Sequence, residues 1–142
     1  MDDLIAFLRA RLDEDADLAL TASPGPWRPD EEHDEVLAVD DIVVAEGFAL
    51  SGRQLRATVD HIARHDPARA LAEIDAKRRI LALHEPVILR AGGGAEHFNT
   101  TRVCRSCEPP KQFPEAAYPC DTIRLLALPY ADHPEYQDAW RP

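Results

Sequence analysis

Apolar residues recur every three or four positions through the first 20 residues, which is the spacing of one face of a helix. These positions are Leu4, Ile5, Leu8, Leu12 and Ala16. The pattern ends at residues 21–27, where two prolines and a glycine prevent the helix from continuing. The sequence therefore predicts an amphipathic N-terminal helix, followed by a loop that Trp27 anchors on the core.

Two short apolar runs, 36–39 and 42–45, lie on either side of Asp40 and Asp41. Valine and isoleucine favour strands, and two polar residues between two strands are the length of a tight turn. This pattern predicts an antiparallel hairpin in a short sheet packed on helices.

The helical pattern returns near Arg53 and is interrupted at Asp66-Pro67. Proline cannot continue the preceding helix but suits the first position of the next one, which makes Asp66 its N-cap. The second helix is expected to end before Pro86, and a strand is expected at 87–89. The three glycines at 92–94 lack the residues of a phosphate-binding motif, and we interpret them as a hinge or tight turn.

The C-terminal part of the chain predicts short elements. Asp121 and Thr122 are expected to cap a helix over 123–128, and Asp132 and Glu135 to form a capping-box-like pair in a last helical turn. Together these elements predict an α+β fold in which residues 1–142 form a single domain. Residues 101–142 form its C-terminal subregion.

Composition narrows the class of protein. The chain has 142 residues, 45% of them hydrophobic, and its apolar runs are far shorter than the roughly 20 residues that span a bilayer. The N-terminal sequence lacks the basic and apolar regions of a secretory signal. The expected location is therefore the cytoplasm, with no membrane association.

The net charge is −10, and all of the imbalance lies in residues 1–41, which hold 13 acidic and three basic residues. General binding to duplex DNA is not expected, because it depends on lysine and arginine. Residues 53–79 hold seven basic and four acidic residues. This segment either packs on the acidic first helix, faces solvent, or binds an anionic ligand.

Three cysteines within 17 residues carry the clearest chemical signal. Cys104 and Cys107 form a Cys-x-x-Cys pair, and Cys120 follows 13 residues later. Such a pair directs two thiolates at one point, which is half of a tetrahedral zinc site. The odd number of cysteines argues against a disulfide framework. We predict one structural Zn²⁺ as cofactor.

A histidine must supply the fourth ligand of that site. His84 at the end of the long helix is favoured, followed by His133, with His97 as a third candidate. The alternatives are reduced, partly buried thiols or a redox pair, and the prolines after Cys107 are poor material for the helix that a redox pair needs. Catalytic zinc is less favoured, since no His-x-Glu pattern accompanies the cysteines.

His61 and His65 lie four positions apart, on one face of a predicted helix. The glutamate of the metalloprotease motif is absent, because Ile62 occupies its position. The two histidines either contact the protein body or, with Arg64, form a binding site for an anionic ligand.

Three segments together resemble an uncharacterised domain-of-unknown-function family found in actinomycetes and their phages. They are the Pro-Gly-Pro-Trp loop at 24–27, His-Ile-Ala-Arg-His-Asp-Pro at 61–67 and Leu-Pro-Tyr-Ala-Asp-His-Pro at 128–134. The resemblance extends over nearly the whole chain. It implies no activity, but it implies a recurrent Cys-x-x-Cys plus Pro-Cys arrangement that suggests a metal.

These observations favour a non-enzymatic, zinc-stabilised accessory protein, linked to phages or mobile elements, that binds a host protein or another macromolecule. The alternative is a binder or hydrolase of nucleotide-like anions that uses His61, Arg64 and His65. A structural or oligomerisation role is the third hypothesis. The sequence leaves the oligomeric state and any enzymatic activity open.

Overall fold

The computed structural model describes residues 2–88, 102–107 and 118–142, and their mixture of helices and short antiparallel strands confirms the predicted α+β class. The elements in chain order are α1 (Asp2–Thr21), β1 (Arg28–Pro29), β2 (Glu35–Leu37), β3 (Val43–Glu46), α2 (Gly52–Arg64), α3 (Pro67–Leu83), β4 (Pro86–Ile88), β5 (Arg102–Cys104) and α4 (Asp121–Ala127).

The predicted N-terminal helix is confirmed as α1, and its repeating apolar positions are the buried ones. Leu4, Leu8 and Leu12 are almost fully buried. Four-residue spacing places their side chains on one face, and burial of that face stabilises a helix whose exposed positions include acidic residues and also Leu18 and Leu20.

Strands β1, β2 and β3 form an antiparallel sheet in that order. The predicted hairpin is β2–β3, with Val36 paired with Ala45 and a register shift after Val36. Its turn is at Asp40 and Asp41, whose φ angles are 60° and 58°. A two-residue turn of this kind needs positive φ at both positions, which aspartate tolerates better than most residues.

The break between α2 and α3 falls where Asp66-Pro67 predicts it. Ser51 caps the start of α2 by accepting a hydrogen bond from the Gln54 amide. Asp66 caps α3 by accepting from the Arg69 amide at 2.9 Å. The second oxygen of Asp66 accepts from the Trp27 amide at 3.2 Å, which joins the loop after α1 to the start of α3.

The chain divides into two compact units, which we call unit 1 (residues 1–12 and 76–142) and unit 2 (residues 13–75). In unit 2, Val36, Val59 and Ala63 form a buried cluster, with Trp27 packed against it as predicted. In unit 1, Phe7 packs against the aromatic rings of the C-terminal segment, including that of Trp140 at 5.1 Å between centroids.

The predicted short C-terminal helix is confirmed as α4, but its predicted caps and bounds and the predicted capping box are wrong. Helix α4 begins at Asp121 with Cys120 as N-cap, and it ends at Ala127, because proline at 129 tightens the last turn to a 3₁₀ turn over Leu128–Tyr130. The capping-box pair does not form, because the Glu135 amide donates to His133 Nδ1 at 3.1 Å and the Glu135 carboxylate accepts from Arg11 at 3.3 Å. None of the helices in the described part of the chain has the length and apolar character needed to cross a bilayer.

Candidate metal centre

Four side chains of unit 1 converge at one point. Their ligand atoms, one nitrogen and three sulfurs, all lie within 4.8 Å of one another, and they belong to His84, Cys104, Cys107 and Cys120. Three segments of the chain supply them, and local structure fixes each segment.

His84 follows directly on the last residue of α3. Its amide bonds to the carbonyl oxygens of Ile80 and Leu81 at 3.1 and 3.2 Å, so the helical turn continues up to the ligand residue. The side chain is half-buried and directs its Nδ1 at the cysteines. This fixed helix end leaves the imidazole few alternative positions.

The Cys104–Cys107 turn is held beside His84 by the β4–β5 ladder. Cys104 pairs with Pro86, and the Arg105 amide donates to the Glu85 carbonyl at 2.9 Å. The Ser106 hydroxyl also donates to the Leu83 carbonyl. The sheet and the turn therefore bring two cysteines against the end of α3, although 20 or more positions separate them in sequence.

Within the turn, the Cys107 amide donates to Cys104 Sγ at 3.4 Å. Amide hydrogen bonds to sulfur stabilise the thiolate, which is the form that binds metals. Cys104 is buried and Cys107 exposed, so the cluster lies at the surface of unit 1 with one side covered.

Cys120 enters the cluster as the N-cap residue of α4. The preceding segment is held in place by Tyr118, which is buried, and by Arg124, whose Nε donates to the Pro119 carbonyl at 3.1 Å. The guanidinium also donates to the Ala139 carbonyl at 3.0 Å. Arg124 thus connects the third cysteine to the C-terminal tail.

The thiols affect one another's ionisation. Burial acts to raise the pKa of Cys104, but hydrogen bonds from the amides of Cys107 and Ser106 outweigh it, and the pKa is lowered from its usual 9.0. Burial and the neighbouring cysteines raise the pKa of Cys107 to about 11. With this raised pKa, the Cys107 thiol carries no charge at neutral pH unless a cation binds beside it.

Of the other two candidates for a fourth ligand, the structure describes His133 alone, and it places that residue away from the cysteines. His133 contacts Arg11 and packs edge-on against the Phe7 ring at 5.4 Å, in the aromatic cluster of the C-terminal tail. His97 lies outside the described residues, as do the three glycines at 92–94.

The structure brings two of the three predicted anion-binding residues together. The rings of His61 and His65 lie 4.4 Å apart on α2. Arg64 instead lines an open cavity of about 360 Å³ in unit 2 together with Trp27 and Arg28, and neither histidine is among its lining residues.

Sequence patterns give no indication of the groups that hold the ligands in place. Ser106, Arg105 and Arg124 act through hydrogen bonds to backbone carbonyl groups whose positions depend on the folded chain. The spacing of the cysteines indicates the metal ligands, but it does not indicate the residues that hold those ligands in place.

The fold and this cluster define a small α+β protein that could hold a metal ion between one histidine and three cysteines. The chain belongs to the family of unknown function DUF6221, whose model matches residues 1–142, and the predicted membership of an uncharacterised family is thereby confirmed. No curated protein and no solved structure matches the chain.

Proposed function

We propose that the protein binds one structural Zn²⁺ through His84, Cys104, Cys107 and Cys120, and that it acts by binding another macromolecule. The observation that carries the zinc proposal is the position of His84 Nδ1, which lies 3.2 Å from Cys104 Sγ and 3.5 Å from each of the other two sulfurs.

These distances fit a tetrahedral zinc site. With Zn–N and Zn–S bonds of about 2.0 and 2.3 Å, a tetrahedral centre separates nitrogen from sulfur by about 3.5 Å and two sulfurs by about 3.8 Å. The three nitrogen–sulfur distances are at or slightly below this value, so small side-chain rotations open the space for the ion. The Cys₃His set also matches zinc in chemistry, because thiolate and imidazole are its preferred ligands.

A structural role follows from the number of ligands. Four protein ligands complete a tetrahedral shell and leave no position for water or substrate, whereas catalytic zinc keeps one position open. The bound ion would join the end of α3, the turn after β5 and the start of α4. Its binding energy becomes part of the folding energy of unit 1.

Elemental analysis of the purified chain, with native mass spectrometry to count ions, tests the zinc proposal. We expect about one zinc per chain. Cys107→Ser and His84→Ala should lower the zinc content, while His33→Asn, which removes a histidine of unit 2, should leave it unchanged. A wild-type chain that contains no zinc and does not take it up on refolding with Zn²⁺ would refute the proposal.

The binding role is supported by the surface of unit 2. This unit has 16 acidic and five basic residues, and its loop between β3 and α2 exposes Phe48 and Leu50 almost completely. Exposed large apolar side chains are typical of binding surfaces, and the negative net charge of the unit favours partners with basic character. We propose a protein partner, or another macromolecule, that carries positive charge.

Capture from lysate at increasing salt concentration tests this role. A partner held by charge is released as the salt concentration rises, and Phe48→Ser should weaken its retention at low salt. Retention that neither salt nor Phe48→Ser changes would contradict the proposed surface. Reduced thiols suit a cytoplasmic location, and the link to phages or mobile elements remains a prediction from the resemblance.

The second candidate function is the binding of a nucleotide-like anion beside Arg64. The cavity lined by Trp27, Arg28 and Arg64 favours it, since an indole ring and guanidinium groups recognise bases and phosphates. Asp60 and Asp66 also line this cavity and oppose a bound anion. A thermal-shift screen with mono- and cyclic nucleotides tests it. A ligand at 100 times its Kd stabilises the protein by about 2.7 kcal/mol, and Arg64→Ala should remove the shift.

A further inference from the structure

We propose that His61 and His65 form a second metal site, at the C-terminal end of α2, that binds a divalent transition-metal ion of the Ni²⁺ or Cu²⁺ type through two imidazole nitrogens. This site shares no residue with the cysteine centre and lies in unit 2, so it goes beyond the proposed function and does not depend on it.

The two rings are already side by side. Four-residue spacing places both side chains on one face of the helix, and their ring centroids are 4.4 Å apart with 43° between the ring planes. Both residues are exposed. Within the described part of the chain, the His61 ring has no hydrogen-bond partner, so its nitrogens are accessible from solvent.

A backbone contact fixes which ring nitrogen of neutral His65 carries the proton. Its Nδ1 lies 2.7 Å from the carbonyl oxygen of His61, and a carbonyl oxygen accepts but does not donate. The proton therefore lies on Nδ1, which leaves the lone pair of Nε2 for a ligand. Metal-binding histidines commonly donate their other N–H to a backbone carbonyl in this way.

Position in the fold restricts His65 further. It is the C-cap residue of α2, and the next two residues are the N-cap and first residue of α3. The ring is consequently attached to a junction between two helices, and one ligand of the site is oriented before the metal arrives.

The ligand atoms determine the class of metal. Two neutral imidazoles favour Ni²⁺, Cu²⁺ and Zn²⁺ over Mg²⁺ or Ca²⁺, and affinity within the series rises to Cu²⁺. The net negative charge of unit 2 favours the approach of cations over that of anions. Water would occupy the remaining positions, so the ion exchanges readily.

Titration of the full chain with Ni²⁺, after loading with Zn²⁺, tests the site. Ni²⁺ avoids the oxidation of thiols that Cu²⁺ causes, and the cysteine centre is the same in every variant compared. Calorimetry measures binding, and paramagnetic broadening of the histidine ring signals in NMR spectra locates it. We expect one Ni²⁺ per chain and selective broadening of His61 and His65.

Single variants distinguish a two-ligand site from isolated histidines. His61→Ala and His65→Ala should each weaken Ni²⁺ binding on the order of 10²-fold, because the second bond of a bidentate site forms within the same molecule. His33→Asn is the matched control, since asparagine tolerates the positive φ of 57° at this position, and it should bind Ni²⁺ as wild type does.

Equal Ni²⁺ affinity in wild type and His61→Ala would overturn the proposal. NMR spectra in which Ni²⁺ broadens neither the His61 nor the His65 ring signal would also overturn it. Circular dichroism of each variant identifies unfolding. Because both side chains are exposed, the variants should remain folded.

Discussion

His84 Nδ1 lies 3.2 Å from Cys104 Sγ, although 20 positions separate the two residues in the sequence. Cys104 is buried and His84 is half-buried. The β4–β5 ladder brings the residues together, in an arrangement that could hold a metal ion. The consequences of that contact can be measured.

Removal of zinc should destabilise the protein. A metal whose free concentration is about a thousand times its Kd contributes about 4 kcal/mol to the free energy of unfolding. For a chain of this length, that energy corresponds to a decrease in Tm of about 14 °C. Thermal unfolding with and without a strong chelator measures the difference.

Cys107→Ala should lower the Tm in buffer by a similar amount, and chelator should then have no further effect. Cys107 is exposed, so loss of packing cannot account for a large decrease. Identical unfolding curves for wild type in the presence and absence of chelator would contradict a structural role.

Gly47→Ala should destabilise unit 2 by about 1–3 kcal/mol through overpacking. A Cβ atom at this position would come within 2.7 Å of side-chain atoms of both Leu55 and Val59, and Val59 is fully buried. Chemical denaturation measures the change in the free energy of unfolding.

Gly52→Ala provides the matched control. A Cβ there meets only the flexible end of Arg56 at 3.7 Å, and position 52 begins α2. Alanine should therefore be neutral or stabilise by up to about 1 kcal/mol. A destabilisation equal to that of Gly47→Ala would show that loss of glycine, rather than crowding, is the cause.

Asp30 should titrate below its ordinary pKa of 3.8 and Asp34 above it. The amides of Glu35 and Asp34 donate to the Asp30 carboxylate and lower the pKa of Asp30. The pKa of Asp34 is raised chiefly by the hydrogen bond that its side chain shares with Asp30. Carbon-13 NMR of the carboxyl groups between pH 2 and 7 resolves the two.

The sign of the effect on stability follows from these directions. A lowered pKa means that Asp30 stabilises the fold above pH 3.8, and that this contribution disappears as the pH falls through the lower folded value. A raised pKa means that charged Asp34 opposes folding at neutral pH, and acidification relieves it. Asp30→Ala removes the carboxylate, so the titration below pH 3.8 should disappear. Asp30→Asn should keep the loop conformation, because its side-chain oxygen can still accept from the amides of Asp34 and Glu35.

Asp66→Ala should cost about 1–2 kcal/mol, because it removes the N-cap of α3 and the acceptor of the Trp27 amide together. Asp66→Asn keeps one oxygen and replaces the other with a donor, so it should lose only one of the two bonds and a smaller amount of stability. Equal losses for the two variants, measured by denaturation, would argue against the two-bond arrangement.

Elements specified by local residues were predictable. The apolar spacing of α1, the Asp66-Pro67 break and the two-residue turn at Asp40 and Asp41 depend on backbone preferences of those residues themselves. In the predicted capping box at Asp132, the Glu135 carboxylate is bound instead by Arg11, which is distant in sequence. Local pattern contains no information on such a competitor.

In the candidate metal centre, too, some features follow from local sequence and others depend on contacts between distant residues. Spacing indicated the three cysteines, whereas the choice among His84, His133 and His97 depended on which helix end the β4–β5 ladder brings near the turn. That pairing joins residues far apart in the chain, and a single sequence does not specify it.

The carboxylate of Asp66 links the loop at Trp27 to the first turn of α3 within unit 2. Its two oxygens bond to the backbone at Trp27 and at Arg69, and Gly25 lies so close that a Cβ there would be 2.7 Å from Oδ2. A molecule that displaces Trp27 from beside Arg64 must also disturb the first turn of α3. A ligand in that cavity would thus change the amide hydrogen-exchange rates at the start of α3, some 40 residues further along the chain.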